Sequence, residues 1–202
     1  FEKDFLRWML SDGAGAVRLS TTANHNGPSL RIDWLEILSF ANQMPACMYA
    51  GADYVNGQLK GWSRFTPAER DEHSVLAVKQ DVKLLNDNIV KLTVVEALRR
   101  ISRKHPLKAQ AIDHFLPHYS SEFFRARLAD GLREAGLDIP YERWVTNLTS
   151  KGNTGSASIF IILEELFNSG RLQPGETILC YVPESGRFSS AFMHLTVVGG
   201  AA

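Results

Sequence analysis

Three places in this chain set polar residues where chemistry is commonly done: His118, Asn153 and the Ser185-Gly186 pair. His118 follows Ile112-Asp113-His114-Phe115-Leu116-Pro117, which reads as a short buried strand cut off by proline. Asn153 lies in Lys151-Gly152-Asn153-Thr154-Gly155-Ser156-Ala157-Ser158, a small-residue loop ahead of the apolar run Ile159 to Phe167. A helix start exposes unpaired backbone N–H groups and a positive dipole end. An Asn there caps the helix or points a donor into a site. Ser185-Gly186 falls inside Pro183-Glu184-Ser185-Gly186-Arg187, a tight connection between two apolar runs. Strand ends and helix starts are where α/β proteins place their chemistry. Taken singly, each residue also has an ordinary structural reading, as a core histidine, a cap and a turn.

Other chemistries fit less well. His114 and His118 are four apart, a metal-ligand spacing on a helix, but Pro117 between them argues against a helix and no third ligand lies close in sequence. No metal and no cofactor is expected. Asp12-Gly13-Ala14-Gly15 resembles a phosphate-cradling loop only superficially, because no Lys-Ser/Thr follows and no helix opens after it. Cys47 and Cys180 have no paired-spacing motif and fit a reducing, cytoplasmic setting.

Composition narrows the class. Hydrophobic residues make up 45% and charged residues 22%, as in an ordinary globular protein. Lys plus Arg and Asp plus Glu number 22 each, so no nucleic-acid stripe or membrane-surface patch is indicated. No apolar run is long enough to span a bilayer. At 202 residues there is room for one domain with a substantial core. The chain opens without a Met, on Phe1-Glu2-Lys3-Asp4-Phe5, and is expected to be a piece of something longer.

The elements that must position these residues alternate. Ala16 to Leu19 has strand character after the small-residue turn, and Leu30 to Phe40 alternates as a strand. Residues 41–73 read as loops and short elements, with Thr66-Pro67-Ala68-Glu69 starting a helical turn. Val75, Val78, Val82, Leu85, Ile89, Leu92, Val95, Leu98 and Ile101 predict one long helix from Ser74 to about Lys104. A helix from Ser120 or Ser121 to about Ala135, an ambiguous stretch Tyr141 to Thr146, and a helix Ser156 to Asn168 follow. Thr177 to Val182 and Ala191 to Val198 are two strands expected to pair antiparallel. The order implies an α/β fold with a mixed sheet.

Four motifs in register carry a resemblance: Asp12-Gly13-Ala14-Gly15-Ala16-Val17, Ile112 to His118, Gly152-Asn153-Thr154-Gly155-Ser156-Ala157-Ser158, and Gly170-Arg171-Leu172-Gln173-Pro174-Gly175-Glu176. Together they resemble the C-terminal half of β-ketoacyl-acyl-carrier-protein synthase III, one of the thiolase-like condensing enzymes. The resemblance covers most of residues 8–198, with about 21–75 as a divergent insertion. It implies a half-domain with a mixed five-stranded sheet and helices, spanning 1–202. It implies decarboxylative condensation of an enzyme-bound acyl group with a malonyl thioester of acyl carrier protein or coenzyme A. His118 and Asn153 would donate hydrogen bonds to the malonyl thioester oxygen, and the Ser185 or Gly186 backbone N–H would serve the acyl oxyanion. The acyl-bearing cysteine is expected in a first half upstream of Asp12; Cys47 lies downstream of that motif and is a poor candidate, and Cys180 reads as buried. Acyl carrier protein, the first half and a second copy forming a homodimer are the implied partners. The rival reading is a non-catalytic condensing-enzyme-like partner that shapes an active subunit. Two departures from the resemblance stand out: Tyr119-Ser120-Ser121 follows the histidine where the family usually has Gln-Ala-Asn, and Pro183-Glu184-Ser185-Gly186-Arg187-Phe188 stands at the family's Gly-rich turn.

Overall fold

The computed structural model describes residues 8–199. In chain order the elements are β1 (Ser29–Ser39), β2 (Met48–Tyr49), β3 (Ala52–Val55), β4 (Gln58–Gly61), α1 (Pro67–Glu72), β5 (Lys79–Gln80), α2 (Val82–Val90), a π turn (Lys91–Glu96), α3 (Ala97–Ile101), β6 (His114–Pro117), α4 (Phe123–Glu134), α5 (Leu148–Lys151), α6 (Ser158–Asn168), β7 (Thr177–Glu184) and β8 (Ser189–Val198).

The main sheet has the order β1-β8-β7-β6. β8 runs antiparallel to both neighbours, whereas β6 and β7 are parallel. The expected fifth strand is reduced to one parallel bridge, Phe115 to Trp144, with Val145 N–H donating to the Phe115 carbonyl at 2.8 Å. Helices cover both faces. Ile178 and Cys180 of β7 pack with Ile159, Ile162 and Leu166 of α6. Leu179 and Tyr181 pack on the other face with Leu98 and Ile101 of α3 and Leu128 and Leu132 of α4. A strand buried on both faces reads as a continuous apolar run, which is why Ile178 to Tyr181 shows no alternation.

β1 changes faces partway. Ile32 pairs with Leu195 and Trp34 with His194, so Asp33 is the extra residue of a bulge. Before it, Leu30 packs toward α6; after it, Trp34 and Leu38 pack toward α3 and α4. The bulged carboxylate is satisfied by Arg31, His194 and Thr196. Ile32, Leu35 and Ile37 remain 45%, 53% and 70% exposed.

Several expectations need correction. The long helix begins at Val82, not Ser74, because Lys79–Gln80 pairs with Met48–Tyr49 and Asp81 caps α2 by accepting from Leu84 N–H. Ala16 to Leu19 forms no strand: it is exposed and has no strand partner among the described residues. α4 has no side-chain cap from Ser120 or Ser121. The 41–73 stretch is the expected set of short elements, and Thr66 with Glu69 closes a reciprocal capping box on α1.

α4 crosses α2 closely at Gly131. A Cβ there would meet Val90 Cγ1 at 2.4 Å, and Val90 is a short β-branched side chain with little freedom to move. Gly131→Val is expected to destabilise the fold by about 1–3 kcal/mol through overpacking, read as a lower urea midpoint.

Candidate active site

His118, Asn153 and Ser185 come from three separate elements, yet all three line one cavity of about 260 Å³. His118 continues β6 by one residue: its N–H donates to the Tyr181 carbonyl at 2.8 Å, extending the pairing with β7. The residue is 8% exposed, and neither ring nitrogen has a protein hydrogen-bond partner among the described residues. Burial with no compensating charge pushes its pKa down to about 4. The imidazole is therefore neutral at physiological pH, with one N–H to donate and one nitrogen to accept.

Asn153 is buried and does not cap α6, whose N-cap residue is Ala157. Its Oδ1 accepts from Gly155 N–H at 3.1 Å instead, closing a turn of its own. That bond determines which end of the amide is oxygen, since Nδ2 has no lone pair to offer. The NH2 group has no protein acceptor among the described residues and is free to donate. The helix itself is preceded by a 3-10 turn, Gly155–Ala157, with Thr154 and Ser158 hydroxyls joined at 2.8 Å.

The Asp-Gly-Ala-Gly segment holds this loop from behind. Ser11 N–H donates to the Asn153 carbonyl at 2.7 Å, and Leu10 bridges Asn153. Gly152 has φ +75°, and a Cβ on it would lie 2.1 Å from Ser11 Oγ. A Cβ on Gly15 would lie 2.2 Å from Phe160 Cβ. The small residues are there so that the segment can pass over the start of α6.

The Ser185-Gly186 pair separates. Ser185 lines the cavity, but Gly186 is not among its lining residues. Gly186 N–H is taken by Glu184 Oε1, and Arg187 N–H donates to Glu184 Oε2 at 3.2 Å. The Gly186 carbonyl accepts from Cys47 N–H at 2.7 Å. Neither cysteine lines the cavity. Burial and the nearby Asp81 charge push the Cys47 thiol up to about 11, and burial pushes Cys180 to about 12, so neither is a thiolate nucleophile at neutral pH. Among the described residues there is no cluster of three metal-ligating side chains.

Sequence reading missed the wall residues Met48, Gln80, Glu184 and Tyr181. Tyr181 OH lies 2.7 Å from Thr93 Oγ1, which donates to the Ile89 carbonyl at 2.5 Å, so the tyrosine is the donor within that pair. This buried chain ties β7 to the π turn, and π turns break the helical spacing on which sequence periodicity relies.

Residues 103–190, which include all four candidate positions, match the family described as 3-oxoacyl-[acyl-carrier-protein (ACP)] synthase III C terminal. Over that stretch the chain is similar to the synthase III C-terminal domain. The chain is 28% identical over 171 residues to β-ketoacyl-[acyl-carrier-protein] synthase III of Clostridium perfringens, covering 85% of this chain and 47% of that protein. It is 25% identical over 173 residues to the enzyme of Acaryochloris marina, covering 84% of this chain and 46% of the relative. A shorter match, 36% over 85 residues, is to the chloroplastic enzyme of Arabidopsis thaliana, covering 42% of this chain and 20% of that protein. The chain thus spans about half the length of these first two relatives. Among solved structures, 3-oxoacyl-(acyl carrier protein) synthase III of Pseudomonas aeruginosa superposes with a TM-score of 0.58 at 22% identity, covering 83% of this chain and 46% of that one. A tetronic acid condensing enzyme superposes at 0.59 and 16% identity, covering 83% and 43%. At these identities the structural likeness is one of fold: the C-terminal half of the thiolase-like architecture, a mixed sheet between helices.

Proposed function

We propose that this chain supplies the histidine and asparagine of a decarboxylative condensing enzyme, and that the 260 Å³ cavity is where the thioesters meet. The observation that carries this reading is the convergence of His118 and Asn153 on one cavity with their donors unspent. Loss of carbon dioxide from a malonyl thioester leaves the electrons of the broken C–C bond on the α carbon, delocalised onto the thioester oxygen. A neutral imidazole N–H and an amide N–H aimed at that oxygen stabilise the enolate without reorganising. The enolate carbon then attacks an acyl thioester, the new C–C bond forms, and a cysteine thiolate leaves. In this proposal the cysteine belongs to a first half outside this chain, and the Ser185 backbone N–H serves the acyl oxygen. Gly186 is the weaker choice because its amide is already bonded.

The exposed apolar residues Ile32, Leu35 and Ile37 of β1 suit a surface that a first half or a second copy covers. Acyl carrier protein is the proposed donor of the malonyl group. No helix among the described residues is long and apolar enough to cross a membrane. The test is to supply the whole protein with acyl and malonyl thioesters and to follow carbon dioxide and β-ketoacyl product. Release of both supports the reading. Failure to form either, with the fold intact, favours the non-catalytic partner subunit.

A further inference from the structure

The cavity has a second polar feature, and its hydrogen bonds are poorly spent. Ser185 Oγ donates to Met48 Sδ at 3.7 Å, and Gln80 Nε2 donates to the same sulfur at 3.8 Å. All three residues line the cavity. A thioether sulfur is a weak acceptor, so two full-strength donors here converge on a poor partner. The Gln80 side-chain Oε1 has no protein donor among the described residues. An amide and a hydroxyl in a cavity whose lining also includes Leu85, Ile89, Val90, Phe124 and Leu128 are costly to strip of water unless the occupant replaces it.

The donors are also held in place. Met48 and Gln80 face each other across the β2–β5 pair, and Asp81 N–H donates to the Cys47 carbonyl at 2.8 Å just beside it. Cys47 N–H in turn holds the Gly186 carbonyl at 2.7 Å, next to Ser185. Glu184 closes the same turn from the other side through the Gly186 and Arg187 amides. Donors on such a braced frame lose little freedom when a ligand arrives.

We infer that Gln80 and Ser185 form a polar subsite for an oxygen atom on the acyl chain, so that the cavity selects hydroxylated or keto-bearing acyl groups over plain hydrocarbon ones. This rests on the reading of the cavity as an acyl-thioester site. An acceptor oxygen inserted beside the Met48 sulfur takes both donors, and a hydroxyl there also donates to Gln80 Oε1. A saturated chain leaves the amide and the hydroxyl bonded only to sulfur.

The test is calorimetric titration of the intact protein with unreactive ketone analogues of acyl-pantetheine. One probe is saturated; the others, of equal length, carry a hydroxyl at successive chain positions. At least one hydroxylated probe is expected to bind about tenfold tighter than the saturated one, the effect of one well-made hydrogen bond. Gln80→Leu is expected to abolish that preference while leaving saturated-probe affinity unchanged or higher, and Ser185→Ala to reduce the preference. Equal binding of all probes, or a preference that survives Gln80→Leu, overturns the subsite alone. Binding of no probe overturns the acyl-thioester reading and the subsite with it.

Discussion

Under the proposed function, His118→Ala in the whole protein is expected to lower the rate of malonyl decarboxylation and condensation by about 10²–10³-fold, and Asn153→Ala to do the same. Each substitution removes a donor that acts on charge developing in the transition state, so the loss belongs in kcat and not in KM. Because the two donors are proposed to serve one oxygen, the double variant should be only modestly slower than either single one. Asn153→Asp separates the two roles that the geometry gives this residue. Aspartate keeps an oxygen to accept from Gly155 N–H, so the turn is retained. It has no N–H to donate, and it places a negative charge beside the forming enolate. A variant with near-normal stability and a rate as low as Asn153→Ala would establish the donor role. If Asn153→Asp and His118→Ala both retained wild-type rates, the two residues would be no more than a turn and a core histidine.

The parts of the fold that were legible in the sequence are those governed by neighbours a few residues away. Thr66 and Glu69 announce α1 because a capping box is complete within four residues. Thr177–Glu184 and Ser189–Val198 join as an antiparallel pair through a short turn for equally local reasons, whereas Pro117 does not cut β6 off, since it pairs with Tyr181 and His118 N–H still donates to β7. The failures arise where a distant pairing outweighs a local pattern. Val75 and Val78 sit in register with the helix that follows, but the pairing of Gln80 with Met48, 32 positions away, takes the chain out of that register. Asp33 looks like one more polar residue in an alternating strand, and only its partners on β8 reveal the bulge. Ala16 to Leu19 has the composition of a strand, but composition cannot supply the neighbour that a strand requires.

The candidate site divides the same way. His118, Asn153 and Ser185 stand at element ends, where their settings are visible in sequence. Gln80, Met48 and Tyr181 become wall residues only through long-range packing, and no spacing links them. Glu184 stands beside Ser185 in sequence, but its part in the site comes from its contacts: its carboxylate braces the turn by accepting from the Gly186 and Arg187 amides.

Acidification is expected to destabilise the protein before it inactivates the imidazole. Burial lowers the His118 pKa from 6.5 to about 4, so the folded state holds the ring neutral while the unfolded chain takes up a proton between those values. The unfolded state therefore binds more protons across that window, and stability rises with pH through it. The contribution is fully present above pH 6.5 and is lost progressively as pH falls toward 4, to a total of about 3 kcal/mol. Urea unfolding of wild type and His118→Gln over this range isolates it, since the variant does not titrate there. The paired carboxylates Asp33 and Glu36, whose pKa values are lowered, also lose their contribution on acidification, but below their ordinary values and equally in both proteins. The stability difference between the two proteins should therefore change with pH only through His118. In the folded protein the group stays neutral, so under the proposed function no acid limb of kcat/KM attributable to His118 is expected until pH approaches 4. A limb near 6.5 that vanished in His118→Gln would mean that the ring is solvated in the working enzyme, and would overturn a donor role based on a buried, neutral imidazole.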